Sequence, residues 1–209
     1  MKRRAALSLA ATACLAGCVS VSLGSADAPA LTYYVLADAR PATVAAPSAK
    51  PFAPLAIQGA AGDPLADSIA LVFSRRDGER SVYQFASWSE RPSRRLAHLA
   101  QQRLQAGGRF ASVTLLGQPV AAEWLLSLTL ETLVHDVSTS PGRAQLALRA
   151  ELINRRDRSL VASRAFTAAP PVAEPAAPAA VAAFGTAAAD VLDQLTAWVE
   201  ATVAAHPGR

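Results

Sequence analysis

Side chains able to do covalent or acid–base chemistry are sparse in this chain, and their spacing points to chemistry at one place. His98, His135 and His206 fall in a helical stretch, an alternating stretch and the C-terminal tail, with no metal-ligand spacing among them. As ordinary packing or surface histidines they do no chemistry. Carboxylates stand singly, so no pair is set up for proton transfer. The phosphate-loop, dinucleotide, nucleophile-elbow and zinc-protease patterns are missing from the sequence. Cys18 is different. It follows Leu15-Ala16-Gly17, behind the basic residues Lys2, Arg3 and Arg4 and an apolar run from Ala5 to Ala16. A basic start, a short apolar core and small residues before the cut make a signal peptide, and Leu-Ala-Gly-Cys has the pattern of a bacterial lipobox, cut between Gly17 and Cys18. The expected chemistry is acylation of Cys18. One acyl chain holds a protein only marginally, at about 0.8 kcal/mol per buried methylene, so a multiply acylated cysteine is needed for a firm anchor. Apart from that covalent lipid, no cofactor or metal is expected, and the chain reads as a non-enzyme.

What remains after the cut narrows the function classes. Three of the 20 basic side chains leave with residues 1–17, so 17 basic residues face 16 acidic ones. That balance implies no nucleic-acid partner. Cys14 leaves too, and a lone acylated cysteine allows no disulfide. No later segment reaches 18 uninterrupted apolar residues, so lipid is the expected membrane attachment. Val19 follows the cysteine where retention in the inner membrane typically uses Asp, which favours the outer membrane, facing the periplasm.

The elements that would position a site can be read along the chain. Residues 1–17 are the signal peptide, 18–30 a flexible lipidated tether rich in Ala and Pro, 31–205 a single domain, and 206–209 a tail. Residues 31–37 read as a short strand, followed by a loop that runs through 55–67. Asp77-Gly78 between two β-rich segments reads as a hairpin over 68–88. Pro92 opens a helix and Gly107-Gly108 ends it. Alternation over 122–137 places Trp124, Leu126, Leu128, Leu130, Thr132 and Val134 on one face and His135 on the polar one. Two further strands follow, "AQLALRAELIN" and "SLVASRAFT", as a meander. A last helix of about 25 residues carries Val181, Phe184, Val191, Leu195 and Trp198 at helical spacing. The fold expected is α+β, a two-layer sandwich with an antiparallel sheet and two main helices on one face.

Surface candidates are aromatic and basic. Tyr33 and Tyr34 are adjacent in an extended segment, so one ring points inward and the other outward. With Tyr83 and Trp88 they are the candidates for partner or lipid contact, since aromatics suit interfaces. The Arg clusters "SRRDGER", "RPSRR" and "NRRDR" coincide with turns and a helix start, and read as solvated surface.

Taken in order, the lipobox, Tyr33-Tyr34-Val35-Leu36, the run Tyr83, Phe85, Trp88 and Pro92 into a helix, "QAGGRFASV", "WLLSLTLETL", "AQLALRAEL" and the closing "LTAWV" resemble the ABC-type transport auxiliary lipoproteins. The resemblance spans nearly all of the mature chain. It implies an α/β sandwich domain able to self-associate, at the outer membrane, beside an inner-membrane ABC permease and ATPase and an MCE-type periplasmic protein that move lipids or other hydrophobic substrates between the two membranes. The stretch "APLAIQGAAGDPLADS" departs from the fuller Val/Pro-rich strand of many relatives. Two other classes fit a tethered domain: a structural lipoprotein scaffolding a β-barrel assembly machine, and an envelope hydrolase with a non-motif site.

Overall fold

The longest strand organises the sheet. In the computed structural model, which describes residues 29–206, β6 (Trp124–Asp136) pairs antiparallel along its whole length with β7 (Arg143–Asn154), and β7 pairs with β8 (Ser159–Ala168), so the expected meander is present. The other edge of β6 is shared by two strands running parallel to it. β2 (Leu55–Ala61) lies along Trp124–Leu130, and β3 (Ala70–Ser74) takes over at His135 and Asp136. The handover falls beside a bulge in β6 between Leu130 and Thr132, where the Leu130 carbonyl accepts from the Gly62 amide at 2.8 Å.

Around this hub lie β4 (Ser81–Trp88), antiparallel to β3 across the Asp77-Gly78 turn, then β1 (Thr32–Tyr34) parallel to β4 at one edge, and β5 (Val113–Leu115) parallel to β2 at another. The eight strands curl into one mixed sheet. The α+β expectation holds, while the sheet is mixed rather than antiparallel. Each parallel pair joins strands far apart in sequence, as parallel neighbours need long crossovers, and α1 (Pro92–Ala106) lies in the path that returns from β2 to its parallel neighbour β5.

β2 is the strand that the expected loop conceals. Leu55, Ala56 and Ile57 are buried between β5 and β6, and a strand covered on both sides loses the alternation that reveals a half-exposed one. Gly59 lets α1 approach: a Cβ there would overlap the Ser93 carbonyl.

α1 begins and ends as its sequence dictates. Pro92 takes the first turn, where its missing N–H costs nothing, and Arg91 supplies no side-chain cap. Asp67 caps the helix from the β2–β3 loop instead, accepting the Ser93 amide at 2.7 Å. At the other end Gly107 donates to Arg103, and Gly108 turns the chain at a φ of 64° that favours glycine. α2 (Ala177–Ala205) is 29 residues long and lays Ala180, Phe184, Ala187, Ala188, Val191, Leu192, Leu195, Val199 and Val203 into the core. Both helices cover one face of the sheet. Between the layers Leu55, Ile57, Leu96, Leu104, Leu126, Leu128, Leu130, Leu148 and Leu152 are fully buried, so side chains fill that space.

The bulge changes which β6 residues face inward. Ahead of it Trp124, Leu126, Leu128 and Leu130 point to the helices, as the alternation predicts. Beyond it Leu133 and His135 take the core side, opposite Leu146 and Ala144 of β7. Thr132 and Val134 move to the other face, where Val134 lines a recess with Ala66 and Val72. His135, placed on the polar face by simple alternation, is therefore fully buried.

Candidate functional site

The four aromatic candidates meet at the β1–β4 end of the sheet, with different fates. Parallel register sets Thr32 beside Ala86 and Tyr34 beside Trp88 on one face, where Tyr34, Ala86 and Trp88 pack on the core, and Tyr33 beside Ser87 on the other. Tyr33 is 63% exposed, while Tyr34 is half-buried and packs on the core. The pair divides between the two faces as an extended backbone requires. Leu31 and Val35 flank Tyr33 and are also exposed, as is Phe85 on β4, so the outer face carries an apolar stripe.

Trp88 belongs elsewhere. It is 3% exposed, with its ring edge-on to Phe184 of α2 at 5.7 Å, and presents nothing to a partner. Tyr83 is half-buried. Its ring tilts against Phe73 at 5.0 Å, and its hydroxyl meets Nδ1 of His135 at 2.8 Å. Burial pushes the Tyr83 hydroxyl pKa up, against the opposing effect of Arg75.

His135 has both ring nitrogens engaged. Nε2 lies 3.2 Å from the Pro141 carbonyl, which can only accept, so the neutral ring carries its proton there and Nδ1 accepts from Tyr83. Burial holds the His135 pKa below 6.5, with the Pro141 carbonyl and Asp136 pulling the other way. A depressed histidine pKa contributes stability that is fully present above the unfolded value and is lost as pH falls through the folded value. The wild-type melting temperature should therefore fall between pH 7 and 5 more steeply than that of His135→Gln, measured by thermal denaturation across that range. Equal slopes would remove His135 from the pH response.

The segment after β1 is fastened to both helices by an ion cluster that sequence reading missed. Arg103 of α1 is buried and reaches Asp38 with two nitrogens, at 2.5 and 2.7 Å, and Asp193 of α2 with a third. Arg40 adds contacts to Asp190 at 2.5 Å and Asp193 at 2.9 Å. The Ala39 amide donates to the Gly185 carbonyl, and Arg95 to that of Leu36. Burial raises the Asp38 pKa, but hydrogen bonds from Arg103 and the Arg40 amide outweigh it and hold the carboxyl below its ordinary value. The cluster uses residues 65 and 155 positions from Asp38 in sequence, which no local pattern reveals. A lone Asp-Ala-Arg in an Ala/Pro-rich stretch was the available signal.

None of these groups is set up for catalysis. The carboxylates of the cluster are neutralised by arginine, and His135 is walled in. Among the described residues no three His, Cys, Asp or Glu side chains gather as a metal site. Two open clefts, of about 470 and 440 Å³, lie at the surface. The first contains Glu123, paired with Arg156, and the second His98 beside Arg94, over Gly59 and Ala97. Neither sets a nucleophile beside a base. Cys18 lies outside the described residues.

The described chain is thus an α+β sandwich with a filled core and an apolar stripe on its first strand. Residues 34–196 match the family model of the ABC-type transport auxiliary lipoprotein component, and the chain belongs to that family. It is similar to protein XCC0632 from Xanthomonas campestris, at 26% identity and a TM-score of 0.70, over 82% of this chain and 95% of that one. A second solved structure, of an uncharacterized protein, shares the fold at 14% identity and a TM-score of 0.62, over 81% of this chain and 99% of that one. No curated protein matches the chain. No helix among the described residues is long and apolar enough to cross a membrane.

Proposed function

We propose that this lipoprotein is a non-catalytic accessory of an ABC/MCE-type transport system, anchored by lipid on Cys18 to the outer membrane and facing the periplasm, where its domain docks the MCE-type protein. Membership of a transport auxiliary family over residues 34–196 carries the reading. Neutralised carboxylates and a walled-in histidine support a role without catalysis.

Location is testable by separating inner and outer membranes on a density gradient. The wild-type chain should sediment with the outer membrane, and Cys18→Ser should appear in the soluble periplasmic fraction or remain as uncleaved precursor. Wild type in the inner membrane, or a Cys18→Ser variant that is processed and stays with the outer membrane, would overturn the anchor.

A further inference from the structure

We propose that the apolar stripe on β1 and β4 is a bilayer contact, so that the protein touches its membrane through protein as well as through acyl chains. The inference rests on the anchoring reading above and adds an orientation to it. Tyr33 lies in an edge strand that pairs with β4 alone, Leu31 and Val35 flank that strand at alternate positions, and all three are about half exposed or more. Tyr33 faces outward beside Ser87, and Phe85, two residues before that serine, extends the stripe onto β4. Apolar side chains, a tyrosine and a serine, with no charge among them, are the composition that settles at a lipid interface.

Position in the chain selects lipid as the occupant. Leu31 lies 13 residues after Cys18, and full extension at about 3.5 Å per residue sets a ceiling of roughly 45 Å between the anchor and the stripe. Under that ceiling the bilayer is at high effective concentration, and a weak apolar contact suffices to hold the domain down. The strand cannot swing free of the domain, because Asp38 and Arg40 bind the next turn of chain to α1 and α2. Contact through the outer face of β1 and β4 therefore turns the helical layer, on the opposite face, away from the bilayer.

The test uses the acylated full chain carrying Tyr33→Cys or Phe85→Cys, each the only free thiol once Cys18 is acylated, labelled with an environment-sensitive fluorophore. Ala201→Cys, on the exposed side of α2, is the reference. In vesicles of phosphatidylethanolamine and phosphatidylglycerol, emission from positions 33 and 85 should shift to the blue and be quenched by nitroxide lipids, while position 201 shows neither change. Probes at 33 and 85 that behave like 201, in protein that floats with the vesicles, would overturn the contact and leave the anchor standing. Protein that fails to float would overturn the anchor, and this inference with it. Shielding that appears only on addition of the MCE-type protein would make the stripe a protein interface and overturn the lipid assignment.

Discussion

Trp88→Ala should lower stability by about 4 kcal/mol, the cost of emptying a large aromatic site in a core. In a domain of this size that is roughly 10 °C in melting temperature. The indole is 3% exposed and packs edge-on against Phe184, and it sits at the end of β4, where its amide donates to the Ile69 carbonyl at 2.6 Å. Tyr33→Ala, at the other extreme of exposure, should move stability by no more than about 0.5 kcal/mol. Thermal denaturation of the two variants separates a core aromatic from a surface one, although sequence offers both as contacts. Equal effects would mean that the outward face of β1 is covered.

Arg103→Leu should cost about 3 kcal/mol, because it strands the buried Asp38 carboxylate without its bidentate partner. Removing both charges tests the cause. Arg103→Leu with Asp38→Leu should recover much of the loss, since a buried ion pair adds little over well-packed apolar residues while half of one is expensive. The sign with pH follows from the depressed pKa values of Asp38 and Asp193. Their contribution is present above the unfolded value near 3.8 and is lost as pH falls through the folded values. Wild type should therefore lose stability below about pH 4 more steeply than the double variant, in denaturant titrations run from pH 6 down to 3. A double variant as unstable as the single one would show that residues 37–40 are held by something other than this cluster.

How much of this was legible depends on how local each feature is. α1 could be read because Pro92 and Gly107-Gly108 set its ends by their own backbone chemistry. The β6–β8 meander could be read because its strands are long and half-exposed. β2 could not: "LAIQGAA" is short and rich in small residues, and an interior strand shows no alternation. The missing strand hid the parallel pairs β2–β5 and β2–β6, while β1–β4 and β3–β6 join segments far apart in sequence and have no local signature. His135 went to the wrong face because an extra residue near Glu131 shifts the phase, and nothing in the sequence announces a bulge. Trp88, a contact candidate by residue type alone, is a core residue because its ring meets Phe184 of α2, a partner 96 positions away that no local pattern reveals. The Asp38–Arg103–Asp193 cluster is wholly tertiary. Tyr33 and Tyr34, adjacent on one strand, were divided correctly because backbone geometry alone requires it.

Docking of an MCE-type protein is the central claim, and crosslinking followed by affinity capture from gently solubilised envelopes, with mass spectrometry of the partners, tests it most directly. Wild type should recover an MCE-type protein, and Cys18→Ser should recover less or none, because location is part of the mechanism. Recovery of a β-barrel protein alone, or of no reproducible partner, would contradict the account and favour a structural lipoprotein of the outer membrane.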